Sequence, residues 1–586
     1  MKREKNFQTY AQAFIFRGKA SLLQARRSIA NASDKIIGRF PLAGDRADGT
    51  IVAASKTLLW TESAPEEQFL LAGKVHNLRL AVKKINGLEI PANAVFSFWK
   101  HIGRANKRQG FVIGRELREG CLIPSVGGGL CQLSNALYDA ALKAGFEIIE
   151  RHAHSQIVAG SLAEQGRDAT VFWNYIDLRF KSAADFRIAA KLDANYLLVE
   201  FKSEIKNAKL FQIARNGEFE NPQSKNQKTN SCASCGAGDC FRSLKAKANL
   251  DFGRSAFLVD EFSAEFDEHL QKTRTAKDVL FVPLDGARFR KANYAWNFRG
   301  FNNTRQSFLV ALERSYKSRR LAAQGASRQL NLLAMSRKLA ENYAKRLKYD
   351  ATHLVVQQNL LPFLWRSGIL GGRSFDVLMT GLPLEKLQET LNFAAALHPE
   401  SVTLGDFRAD ENLIEAETEA LRNAGKIITP HSAVAALFPE RAALLDWKIP
   451  PAREIIKRPN EKYTVVFPAS TVGRKGCYEL REAIRGLNVK LIGLGAELES
   501  AGFWREFDFQ KGGDDWLETA DLVVLPAFVE HKPRRLLQAV ANRIPVIASN
   551  ACGMENVAGV TCIKAGDVEV LKETIQFDYS KICSKK

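Results

Sequence analysis

The chain has 586 residues, 46% of them apolar, which is too long for one hydrophobic core, so two to four domains are expected. Its 84 Lys and Arg outnumber 64 Asp and Glu, giving a formal charge of +20. No apolar run reaches about 18 residues, the first twenty residues hold neither a sustained apolar core nor a clear cleavage site, and the nine cysteines are odd in number and sparse. A membrane span, a signal peptide and a disulfide framework are therefore not expected; the thiols are expected to be reduced in the cytoplasm.

Residues 1–55 form a basic, Ser/Ala-rich lead segment, and 56–205 a block of mixed helix and strand. Within that block, Gly127-Gly128-Gly129 precede a predicted helix over 131–144, with Leu133, Leu137, Ala140 and Ala141 on one face and Gly145 as its stop. Cys131 thus falls at a helix N-terminus, where free N–H groups and the helix dipole favour a thiolate. His152 and His154 follow a predicted strand, Phe146 to Ile149, and alternation puts both on one side. Either imidazole suits a nucleophilic cysteine as base or ion-pair partner, and Asp168 or Asp177 suits the role of orienting it. Arg79, Arg104, Arg115 and Arg151 are available to hold an acidic ligand. The competing reading is a small buried thiol beside a turn, with structural histidines.

Residues 206–250 form a polar linker carrying Cys232, Cys235 and Cys240. Three thiols within nine residues suggest zinc or an iron–sulfur cluster, or else a loop of free thiols; no fourth ligand lies nearby. From about 251 the pattern alternates short apolar strands with helices, over 251–450 and again over 451–586, with a break near Pro450-Pro451. Predicted strands include 279–282, 354–356, 375–378, 402–404, 426–429, 463–467, 490–493, 522–525 and 545–548. Such alternation predicts two parallel sheets with helices on both faces. The basic segment 304–349 reads as a solvated helix face or as a contact for an anionic membrane surface; no nucleic-acid module accompanies it, so nucleic acid ranks low.

The pieces KVHNLRLAVKKINGLEIPANAVFSFWKHIGR, SVGGGLCQLSNALYDAALKAGFEIIERHAHS and GRDATVFWNYIDLRFKS resemble the VanW family, over about one fifth of the chain. That family is named for an accessory gene of vancomycin-resistance clusters, and the resemblance implies a link to the bacterial envelope. It brings no established reaction with it. The last stretch, with YTVVFPASTVGRKGCYELREAIRGL and ADLVVLPAFVEHKPRRLLQAVANRIPVIASNACG, resembles the C-terminal domain of retaining GT-B glycosyltransferases of the glycogen-synthase-like type. This implies a nucleotide-sugar donor, with Arg474 and Lys475 at its phosphates and Glu530 and Gln538 at its ribose. His353 and His431 stand at strand ends of the implied partner domain. Gln538 stands where the family has a second glutamate, Ser470 where it has an arginine, and Arg543 where it has a glycine.

The expected fold class is therefore α/β: an N-terminal α+β VanW-like domain, then two Rossmann-like parallel-sheet halves of GT-B type. The expected function is sugar transfer from a nucleotide-sugar to a cell-envelope or surface-glycan precursor, in the cytoplasm or at the inner face of the membrane. The alternatives are a non-catalytic accessory protein, and a hydrolase or transferase using Cys131, His154, His152 and Asp168.

Overall fold

The computed structural model describes residues 10–583 except 34–36, 43–48, 62–64, 119–120, 155–160, 205–229, 232–251, 321–324, 407 and 458–459. The chain divides into two compact units. The first comprises residues 1–254, 347–353 and 368–374; the second comprises the remainder up to 586. The architecture is mixed α/β, with mainly antiparallel sheets in the first unit and two parallel sheets in the second.

In the first unit a four-stranded antiparallel sheet runs in the order Thr50–Leu58, Tyr196–Ser203, Phe186–Leu192, Leu88–Ile90. Phe186–Leu192 and Tyr196–Ser203 alternate buried and half-buried residues, as strands do when one face meets a core. The helices Pro65–Ile85 and Cys131–Lys143 pack on this sheet. Leu133, Ala136, Leu137, Ala140 and Ala141 are fully buried on the second helix. Each such leucine contributes about 1.5–3 kcal/mol. They meet a cluster of rings in which Phe146 stacks on Phe201 at 5.1 Å and Phe96 on Phe180 at 4.7 Å. Ile113–Arg118 and Cys121–Val126 form an antiparallel hairpin whose last pair is Ile113 with Val126, immediately before the glycines.

In the second unit one sheet runs Asn303–Gln306, Val279–Val282, Arg254–Leu258, Ala351–Gln357, Ser374–Leu378, Ile427–Thr429, Ala442–Leu444. The other runs Asp508–Lys511, Val489–Gly493, Tyr463–Phe467, Leu522–Leu525, Val546–Ser549, Val560–Ile563. In each, the first strand in sequence lies inside the sheet, with the next two strands to one side and the later ones to the other. This is the doubly wound order, whose reversal point opens a crevice at the carboxyl ends of the strands. Strands such as Tyr463–Phe467 and Leu522–Leu525 are buried at every position, as expected of parallel strands covered on both faces.

The segment 402–404, predicted as a strand from Val402-Thr403-Leu404, is not one. The Glu499 carboxylate binds it instead, accepting bonds from the Val402 N–H (3.1 Å) and the Ser401 and Thr403 hydroxyls, and also from Gly473 N–H (2.5 Å) and Tyr478 OH (3.0 Å). Among the described residues no helix is long and apolar enough to cross a membrane. Cys232, Cys235 and Cys240 lie outside the described residues; within the described ones no group of three or more His, Cys, Asp or Glu is placed to hold a metal.

Candidate functional site

The turn into the helix at Cys131 is fixed by close backbone packing. Gly129 has φ +100°, and a Cβ there would lie 2.0 Å from Lys74 Cγ. A Cβ on Gly128 would lie 2.7 Å from the Gly114 carbonyl carbon. Only glycine meets both demands. Asn77, wholly buried on the helix Pro65–Ile85, ties the turn down: its amide nitrogen donates to Gly128 O and Val112 O, both at 3.0 Å, and its oxygen accepts from Val112 N–H at 2.9 Å. Gln132 donates to Thr57 Oγ1 and Leu58 O, each at 2.9 Å, tying the helix start to the edge of the sheet.

The second turn of the same helix places the opposite wall. Ser134 Oγ donates to Ala169 O at 2.5 Å, and Asn135 accepts from Ala169 N–H at 2.8 Å. This brings Asp168 and Thr170 alongside Cys131, whose sulfur lies 3.8 Å from Thr170 Oγ1. Asp168, 2% exposed, accepts from His154 twice: from Nδ1 at 2.6 Å and from the backbone N–H at 2.5 Å. His154 lines the same cavity as Cys131 and acts most strongly to lower the thiol's titration. A thiol, an imidazole and a carboxylate are thus in series, in the nucleophile–base–orienter relation used for covalent catalysis. Among the described residues the amides of Gly129, Leu130 and Cys131 have no hydrogen-bond acceptor, whereas Gly127, Gly128 and Gln132 donate to Val112, Ser125 and Gly129. Three amides clustered beside the sulfur are the type of donor that stabilises an oxyanion.

The electrostatics follow. Burial pushes the Cys131 thiol up, but the His154 charge and hydrogen bond outweigh it, and the thiol titrates below its ordinary value. Burial pushes His154 down, while Cys131 and Asp168 raise it from 6.5 to about 10. The coupling therefore shifts the pair towards the thiolate–imidazolium form. Other buried thiols behave in the opposite way: burial, with Glu499 and Glu479, drives Cys477 far up, and burial, with Glu530, drives Cys552 to about 12, against the weaker lowering by Arg481 and Lys475. The triad opens into a cavity of about 450 Å³, walled on part of its surface by Trp99, Phe172 and Trp173.

His152 is not brought to this cluster. The strand ends at Glu150, so alternation does not carry on to residue 154; His152 is half-exposed, with its Nε2 3.5 Å from Glu150. Asp177 is also elsewhere, accepting from Ser97 Oγ (2.6 Å), Trp99 N–H (3.1 Å) and Arg179 Nε (3.0 Å) at the start of the short helix Phe98–Ile102. Of the four arginines considered as anion holders, only Arg115 lines the cavity. Arg79 donates to Gly371 O (2.8 Å), Arg151 to Asp168 O (2.5 Å), and Arg104 is exposed.

A second constellation lies at the carboxyl ends of the parallel strands in the other unit. Lys475 follows strand Tyr463–Phe467 and Glu530 follows strand Leu522–Leu525, the two neighbours between which the sheet order reverses. Lys475 Nζ lies 2.8 Å from Glu530 Oε2 and donates to Val529 O at 2.8 Å. Burial raises Glu530, but Lys475 overrides this and lowers it. His431 Nε2 lies 3.0 Å from Glu530 O, and His531, half-buried, lies beside Gly381, with desolvation and Lys475 holding its pKa near 3. Burial lowers Arg474, whose carbonyl accepts the Phe528 and Val529 amides. Gln538, half-buried on the helix Arg534–Ala541, makes its described bonds through its carbonyl to Asn542. His353 lies 3.0 Å from Ser374 Oγ.

Residues 73–202 match the family model described as VanW like protein. The vancomycin B-type resistance protein VanW of Enterococcus faecalis is 31% identical over 199 residues, covering 30% of this chain and 71% of that protein. The chain belongs to the VanW family. YoaR of Bacillus subtilis is 31% identical over 143 residues, 24% of this chain; the chain spans about half of YoaR, 46% of its length. The putative teichuronic acid biosynthesis glycosyltransferase TuaC of Bacillus subtilis is 29% identical over 144 residues, 22% of this chain and 37% of its own. Among solved structures, sucrose-phosphate synthase from Thermosynechococcus elongatus aligns with a TM-score of 0.36 at 15% identity, covering 55% of this chain and 89% of that one. HepE from Anabaena in complex with UDP aligns at 0.32 and 14%, covering 55% and 90%.

The VanW match encloses Asn77, the glycine turn, Cys131, His154, Asp168 and Thr170. Thr170, Asn77 and the Ser134–Asn135 pair were not singled out from sequence. A signal for Asn77 was present: a polar residue among apolar ones on a helix that ends up buried on most sides.

Proposed function

We propose that the VanW unit performs acyl transfer through a thioester at Cys131. The observation that carries this reading is the series Cys131–His154–Asp168 at a helix start inside a cavity. The Cys131 thiolate adds to an acyl carbon, forming a C–S bond and moving the carbonyl pair onto oxygen, which the amides of Gly129 to Cys131 receive. Collapse breaks the bond to the leaving group, which takes the proton from the His154 imidazolium. The neutral imidazole then accepts a proton from water or another nucleophile as it attacks the thioester and expels the thiolate. Asp168 holds Nδ1 and balances the imidazolium. Relatives named for vancomycin resistance and teichuronic acid biosynthesis support an envelope or surface-glycan precursor as the molecule acted upon. In a test with p-nitrophenyl acetate, peptide mapping should find an acetyl group on Cys131 that hydroxylamine removes. No adduct there, or an unchanged p-nitrophenol burst in Cys131→Ser, would end this reading.

A second reading rests on the Lys475–Glu530 pair at the switch point. It assigns sugar transfer from a nucleotide-sugar to the second unit, with Arg474 and Lys475 at the phosphates, and Glu530 and Gln538 at the ribose. The TuaC likeness favours it. Calorimetry with UDP, GDP and ADP tests it: one should bind, and more weakly to Lys475→Met. No heat with any of the three would remove it.

A further inference from the structure

Resting on the thioester reading, we infer that the acyl compound taken by the Cys131 cavity carries a negative charge. Lys56, Lys74, Arg115 and Arg118 line the cavity, against the carboxylates of Glu116 and Asp168. Both carboxylates are committed. Glu116 Oε1 accepts from Arg118 at 2.6 and 3.1 Å, and Asp168 holds His154. Neutral or as an ion pair, Cys131 and His154 together carry no net charge, so among the described lining residues four cations face two carboxylates. Lys74 and Arg115 are 6% and 8% exposed and come from elements packed on one another, the helix Pro65–Ile85 and the strand Ile113–Arg118. They embrace the glycine turn: the Lys74 stem lies against Gly129, and the Arg115 backbone against Gly128. Arg115 Nη2 is anchored on Thr61 Oγ1 at 2.7 Å. Cations at the wall of a concave, low-dielectric site concentrate anions there and hold them beside the sulfur.

Iodoacetate and iodoacetamide test this, since they are nearly equal in size and differ in charge. Each loses iodide as its C–I bond breaks and a C–S bond forms to the thiolate. The rate ratio at Cys131, divided by the same ratio for free cysteine, should favour iodoacetate by about tenfold at low salt. Raising the salt to about 1 M should bring it towards one. Lys74→Met keeps an unbranched stem against Gly129, and Lys56→Gln alters an exposed strand position; each should reduce the ratio by at least about twofold. A normalised ratio of one or less overturns the inference. So does a higher ratio that neither variant moves, which would assign the preference to His154 alone. If iodoacetamide labels Cys121 and Cys562 ahead of Cys131, the thioester reading itself fails and the inference falls with it.

Discussion

Replacing Asp168 by Asn removes one charge and almost no volume, and its effect follows from the two bonds that the carboxylate accepts. His154 donates to it from Nδ1 at 2.6 Å and from its backbone N–H at 2.5 Å. An Asn side chain has one acceptor oxygen and one NH₂, so whichever way the amide turns, one of these bonds is lost. His154 is raised from 6.5 to about 10 by Cys131 and Asp168 acting against burial. At about 1.4 kcal/mol per pH unit, that net stabilisation of the imidazolium is about 5 kcal/mol. If Asp168 supplies a third or more, the variant loses about 2 kcal/mol and the His154 midpoint falls by more than about one pH unit. Turnover should fall further, by about 10²–10⁴, because the ring proton is no longer held on the nitrogen remote from sulfur. The assay is the titration of ring-labelled His154 by NMR, assigned with His154→Gln. A midpoint within about 0.3 units of the wild type, with unchanged Cys131 reactivity, would refute the reasoning.

Gly129→Ala forces a left-handed backbone on alanine and drives its Cβ into Lys74, so it should cost about 2–5 kcal/mol and lower Tm by roughly 5–15 °C in calorimetry. Gly405→Ala, whose added Cβ meets nothing within 4 Å, should leave Tm unchanged. In the second unit, burial raises Glu265, but Arg534, bonded at 2.7 Å through both nitrogens, helps lower it from 4.5 to about 2. Because the folded value is depressed, the stabilisation is complete above pH 4.5 and is lost as pH falls through about 2. Glu265→Gln should therefore destabilise that unit by about 2–3 kcal/mol at pH 7, measured by urea unfolding, with the gap closing towards pH 2.

Elements fixed by local pattern were legible in the sequence. The strands 279–282, 463–467 and 522–525 stand where their apolar runs put them, and the helix predicted over 131–144 spans Cys131–Lys143, with Gly145 at φ +70° beyond it. Features set by distant partners were not legible. Residues 402–404 have a strand's composition, but the carboxylate of Glu499, nearly a hundred positions away, binds the Val402 N–H and the Thr403 hydroxyl instead. The two histidines of the ERHAHS segment differ because the strand stops at Glu150 and because Asp168, fourteen residues on, captures only the second. The edge strands Asn303–Gln306 and Asp508–Lys511 are polar, since they border the sheets, and so lack the apolar signal that marks their neighbours.

The most direct test of the central claim is the pH dependence of Cys131 alkylation by iodoacetamide, followed by peptide mass spectrometry. The thiolate–imidazolium account predicts a half-maximal rate below the ordinary thiol value of 9, and a profile moved above that value in His154→Gln, where burial acts without its counter-charge. A wild-type rate that rises through 9 or higher, or a His154→Gln profile that superimposes on it, would contradict the account.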